Sequence, residues 1–202
     1  MRQENVEVIA PVTTQPSTLT PACEAVREWV ERVVVGLNFC PFAHREVERQ
    51  TIVYRECAAG DLAGALQALA DAAEQLVADT HTETTLVVLS NGFDEFDDYL
   101  ELLDYADVYL REGGLEGILQ IASFHPRYQF AGTAPEAPSN YTNRAPYPVL
   151  HLLREASLER VLKRYPNPES IPEHNCEEAE KRGAQYFEAI LADCLAKADR
   201  RA

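Results

Sequence analysis

Apolar residues recur along the chain with two different periods, and the switches between them lay out an α/β protein. Thr20-Pro21 starts a helix, with a hydroxyl cap and then proline at the first helical position. Ala22, Val26, Trp29, Val30, Val33, Val34 and Leu37 follow at helical spacing, and Gly36 is a stop. Thr51-Ile-Val-Tyr54 reads as a short strand. Gly60-Asp61 caps a second helix whose inner face holds Leu62, Ala65, Leu66, Leu69, Ala73, Leu76 and Val77. Thr84-Thr-Leu-Val-Val-Leu89 is almost wholly apolar, as in a parallel strand buried on both faces. A third helix runs from Asp94, with Phe96, Tyr99, Leu100, Leu103 and Leu110 inward, and ends at Gly113-Gly114. It leads into a third strand, Ile118-Leu-Gln-Ile-Ala-Ser-Phe124.

Strands alternating with helices predict a three-stranded, mainly parallel sheet. A mixed sheet that recruits the N-terminal segment is the competing arrangement. Residues 125–147 form a long loop rich in Pro, Ala, Asn and Tyr. Pro148 suits the first position of a helix reaching about Tyr165, broken by Pro166-Asn-Pro168. A last helix starts near Asn175, with Glu178 as capping-box partner, and ends at about Lys197. The expectation is one α/β domain over residues 20–198 with about five helices. Residues 1–19 lack periodicity and read as a flexible leader, in which Val6, Val8 and Ile9 offer an extra strand.

Composition narrows the setting. The 202 residues are 46% hydrophobic, enough for a core without staples. No apolar run reaches the roughly 18 residues of a membrane span, and the N-terminus lacks a secretory pattern. Cys23, Cys40, Cys57, Cys176 and Cys194 are scattered, with no C-x-x-C pair, so they read as reduced thiols in a cytoplasm. A net charge of −15 repels phosphate backbones and argues against nucleic acid as a partner. One stretch reverses the sign. From His125 to Tyr165, Arg127, Arg144, Arg154, Arg160, Lys163 and Arg164 outnumber Glu136, Glu155 and Glu159. The island suggests a site for a small anion, against the plainer reading of solvated helix charges.

Three segments look unlike scaffold. In Gly36-Leu-Asn-Phe-Cys-Pro-Phe42, Pro41 forces Cys40 into an extended or turn conformation beside Asn38. The thiol is either a nucleophile or a buried wall between Phe39 and Phe42. In Phe124-His-Pro-Arg-Tyr-Gln-Phe-Ala-Gly132, His125 and Arg127 follow a strand end, as do Ser90 and Asn91 on the preceding strand. Ligands of parallel sheets bind at such ends, though His125 would equally fix the path of the loop. In the third, Asn140 through His151, the expected helix start at Pro148 points free N–H groups toward Asn143 and Arg144, which is an anion site in physical terms. His151, on the first helical turn, would be kept neutral by the helix dipole, as a general base requires. Asp97, Asp98, Glu101 and Asp104 read as a solvated helix face rather than a metal site.

Together, Trp29-Val-Glu-Arg32, Gly36-Leu-Asn-Phe-Cys-Pro-Phe42, Phe124-His-Pro-x-Tyr-x-Phe130 and Asn140-Tyr-Thr-Asn-Arg-x-Pro-Tyr-Pro-x-Leu-His-Leu-Leu-Arg-Glu155 resemble domain-of-unknown-function family 1415, a group of bacterial proteins. The resemblance spans roughly residues 20–195. It implies one cytoplasmic bacterial domain with these strings as hallmarks, and it implies no reaction.

Three functional readings follow. The leading one is an enzyme acting on a small anionic metabolite under the 125–147 loop. Arg144 and Arg127 would hold a carboxylate or phosphate, and His125 or His151 would move a proton. Asn140, Asn143, Asn38 and Asn91 would orient the substrate, with Cys40 as nucleophile or wall. The second is a metal-dependent enzyme using His125, His151 and Glu155, with Cys40 as a fourth ligand. The third is a non-catalytic accessory or ligand-binding protein docking through Tyr128, Tyr141 and Tyr147. The loop serving as structural packing alone is the plain alternative to all three. No dinucleotide fingerprint, phosphate loop or nucleophile elbow occurs, so no cofactor, substrate or oligomeric state is specified.

Overall fold

The computed structural model describes residues 18–200, so the strand expected from Val6, Val8 and Ile9 lies outside the described residues. Helix α1 (Pro21–Trp29) begins as its sequence predicts: Thr20 is extended and its hydroxyl accepts the Cys23 N–H at 3.4 Å. It runs on into a π-helical segment, Val30–Val35. Then come α2 (Ala43–Arg49), β1 (Ile52–Cys57), α3 (Leu62–Ala78), β2 (Thr84–Leu89), α4 (Phe96–Glu112) and β3 (Leu119–Phe124). The chain ends with β4 (Val149–Arg154), α5 (Glu155–Leu162), α6 (Ile171–Arg182) and α7 (Ala184–Asp199). The cap of α3 is the expected one, Asp61 accepting the Gly64 N–H at 2.8 Å.

The sheet corrects the expectation. It has four strands in the order β1-β2-β4-β3, and only β1 and β2 pair in parallel. Strand β4 runs antiparallel between β2 and β3, so those two point the same way without pairing. A mixed four-stranded sheet therefore replaces the three-stranded, mainly parallel one. The cause is the segment after Pro148, a strand rather than a helix. Val149, His151 and Leu153 face one side of the sheet and Leu150, Leu152 and Arg154 the other. Both sides are covered by helices, which removes the alternation that marks a half-exposed strand. Pro148 stands just outside the strand, where its missing N–H is tolerated, and its carbonyl accepts the Leu89 N–H at 2.9 Å.

Seven α-helices are present among the described residues, not five. Helix α2 carries no buried residue, so no apolar stripe announces it. The expected last helix is two, broken at Gly183, whose φ of 77° suits glycine. Asn175 and Glu178 lie inside α6 rather than at its start, and the Asn175 amide donates to the Phe39 carbonyl at 2.7 Å.

The helices make two layers. On one face, Val26, Trp29, Val33 and Phe187 pack with Ile52, Leu86, Val88 and Val149. On the other, Leu69, Leu76, Tyr99 and Leu102 pack with Val87, Leu89, Leu150 and Leu152. Leu100, expected inward, is 41% exposed, and Leu102 takes the core position. The buried Tyr99 hydroxyl donates to the Val149 carbonyl at 2.7 Å and accepts the Phe124 N–H at 3.2 Å, joining the ends of β3 and β4. Arg154 reaches back to the carbonyls of Leu76, Asp79 and Thr82 and satisfies the open end of α3. No helix among the described residues is long and apolar enough to cross a membrane.

Candidate functional site

The polar residues of the 125–147 loop hold the loop itself. His125 is fully buried; its Nε2 donates to the Phe93 carbonyl at 2.8 Å and its Nδ1 accepts the Arg127 N–H at 3.0 Å. Both ring nitrogens are committed, and burial lowers its pKa. Asn140 is also fully buried. Its Oδ1 accepts the Phe130 N–H and the Thr133 hydroxyl, and its Nδ2 donates to the Ala134 and Pro135 carbonyls. Asn143 donates to the Ser123 carbonyl at 3.0 Å. Arg144 donates to the carbonyls of Tyr128 and Pro135 and lies over the Tyr141 ring, 4.5 Å from its centroid. Arg127 contacts the Asp94 carbonyl and pairs with Glu95 at 2.5 Å. With β4 in place of the expected helix, no helix N-terminus faces Asn143 and Arg144. Asn91 donates to the Ala58 carbonyl at 3.3 Å. Asn38 takes a left-handed conformation, φ 56°, and lines a separate pocket with Tyr165, Ser170, His174 and Asn175.

His151 and Cys40 go elsewhere and come together. They line a cavity of about 200 Å³ on the α1 face of the sheet, walled by Trp29, Val30 and Val34, by Phe42, by Leu86 and Phe124, and by Leu158 and Val161 of α5. The walls are almost entirely apolar. His151 stands across the sheet from Leu86 and Ala122, its ring 6.1 Å from that of Phe124.

The proton inventory of His151 follows from one neighbour. The Thr84 hydroxyl donates to the Leu152 carbonyl at 2.5 Å, since a carbonyl only accepts. Thr84 has no second proton, so at 2.7 Å the His151 Nε2 is the donor to its oxygen. Nδ1 is then a bare lone pair, with no hydrogen-bond partner among the described residues. Burial lowers the His151 pKa to about 4, so the ring is neutral at pH 7. His151 is half-buried and lines the cavity.

The π-helical segment shapes the other wall. Such turns insert an extra residue and recur at functional sites. Here the widened turn carries Val30 and Val34, and the Val34 carbonyl accepts the Cys40 N–H at 3.3 Å. Gly36 closes it, where a Cβ would collide with the Arg32 carbonyl. Burial raises the Cys40 thiol pKa, so at neutral pH it lines the cavity as a protonated, weakly polar group. The Trp29 indole N–H is buried in this wall without an acceptor.

The metal set is not assembled. His151 faces the α1 layer while His125 packs against Phe96 and Tyr99 of α4, across the sheet. No group of three or more His, Cys, Asp or Glu among the described residues is placed to hold an ion. Sequence reasoning missed Thr84 and Trp29. A pair of threonines opening an otherwise apolar strand, and the chain's sole tryptophan, were the available signals.

A family model described as Protein of unknown function (DUF1415) matches residues 22–189, a range that includes every residue lining the cavity. No curated protein and no solved structure gives a significant match.

Proposed function

The chain belongs to the DUF1415 family, and we propose that it binds a small, largely apolar molecule in the cavity between the π-helical segment and α5. The observation that carries this is His151. One ring nitrogen is held by Thr84, and the other has no partner among the described residues, on a residue that lines a largely apolar cavity. Pockets that orient small molecules have this character, apolar walls with few fixed polar groups. The role is binding rather than acid–base chemistry. A base with a pKa near 4 is poorly matched to proton transfer at neutral pH, whereas a neutral imidazole accepts a hydrogen bond well. The guanidinium groups of Arg144 and Arg127 are engaged outside the cavity lining, which argues against a carboxylate or phosphate held beside His151. All five cysteines are free, in keeping with a reducing cytoplasm.

Titration with small apolar alcohols, followed by backbone amide resonances, tests the site. Shifts should concentrate at Val30, Val34, Cys40, His151 and Leu158. A saturable response confined to other surfaces, with these residues silent, would remove the cavity from consideration.

A further inference from the structure

We infer that the cavity selects an uncharged, ring-sized molecule carrying one hydroxyl or N–H donor, and that it rejects anions. The inference rests on the cavity being a binding site and concerns what that site admits.

Size sets the first limit. An apolar cavity of roughly 150 Å³ takes one benzene ring, so the roughly 200 Å³ here suits a six-membered ring with one short substituent. Polarity sets the second. The His151 Nδ1 is an acceptor with nothing to donate, so the ligand must donate to it.

Charge sets the third. Three charged residues line the cavity: Glu46, Glu83 and Arg154. The Arg154 guanidinium is turned to the end of α3 and bound to three carbonyls there. A ligand carboxylate or phosphate would therefore meet a neutral lone pair and two carboxylate residues, with the neutral Trp29 N–H as an unpaired donor but no unengaged cation among the lining side chains. An ammonium is disfavoured for a different reason. Trp29, Leu86, Phe124 and Leu158 would strip its water, a loss the Glu83 carboxylate alone would have to offset, since Glu46 already accepts from the Thr51 hydroxyl at 2.7 Å with Arg45 at 3.7 Å.

Four ring compounds of one shape separate these demands: cyclohexanol, cyclohexylamine, cyclohexanecarboxylate and methoxycyclohexane. Each is titrated into the full chain at neutral pH, following the heat of binding and the emission of Trp29, the sole tryptophan. None of the four absorbs where tryptophan is excited. Cyclohexanol should bind with a saturable isotherm, about tenfold or more tighter than the carboxylate, the ammonium or the ether. In His151→Phe the advantage over the ether should vanish. Carboxylate or ammonium binding as tight as that of the alcohol overturns the charge selection and leaves the site standing. Ether binding as tight as that of the alcohol in the wild-type chain overturns the donor requirement. Saturation by none of the four removes the site and the inference with it.

Discussion

Asn140→Ala should lower the folding stability by about 2 kcal/mol, a large effect for a side chain with no apolar surface to lose. The carboxamide is fully buried and both of its ends are used. Alanine would leave the Phe130 N–H without its acceptor, while the Thr133 hydroxyl would keep the Phe130 carbonyl, the Ala134 carbonyl the Ala137 N–H, and the Pro135 carbonyl the Arg144 guanidinium. Each buried polar group left unpaired costs on the order of 1–3 kcal/mol, offset in part where water enters. These contacts hold the first half of the connection that returns the chain from β3 to β4. Urea denaturation of the variant and the wild-type chain measures the difference. A loss below about 0.5 kcal/mol, the range of an ordinary surface substitution, would contradict this role.

The second large effect is acid destabilisation through His151. In the unfolded chain the ring titrates near its ordinary 6.5, and in the folded protein burial lowers this to about 4. A group whose folded pKa is depressed contributes stability above its unfolded pKa and loses it as pH falls. Between about pH 6.5 and pH 4 the unfolded chain takes up a proton that the folded protein refuses. At about 1.4 kcal/mol per unit, the loss over that window is about 3 kcal/mol. The buried His125 is shifted in the same direction and adds to it. Carboxylates also titrate in this range, so the test is a difference. His151→Phe should lose about 2–3 kcal/mol less than the wild-type chain between pH 6.5 and pH 4. Equal losses would mean that the ring is not held neutral.

What could be read from the sequence was local. The caps at Thr20 and Asp61 act within three residues of themselves, and the almost wholly apolar β2 states its burial outright. Strand β4 was not legible, because burial on both faces leaves Val149-Leu-His-Leu-Leu-Arg154 without the alternation of a strand, and a proline before it mimics a helix start. Misreading that segment put a helix N-terminus before Asn143 and Arg144 where the chain forms a strand. The loop residues were rightly seen as unusual, but Asn, Arg and His that satisfy backbone groups look the same in sequence as those that hold a ligand. The carbonyls that Arg144 and Asn140 engage are brought to them by folding. For His151 the deciding partner is Thr84, 67 positions away, and no local pattern connects the two. The cavity arises from a π-helical turn against β4 and α5, elements whose mutual placement only the sheet order determines.

The central claim is that His151 offers an unprotonated Nδ1 to the cavity. Histidine-selective nitrogen–proton correlation spectra, recorded across the acid range, test it directly. The His151 ring should carry its proton on Nε2, leave Nδ1 free and titrate near pH 4. A proton on Nδ1 at neutral pH, or titration close to 6.5 as in an open peptide, would contradict it.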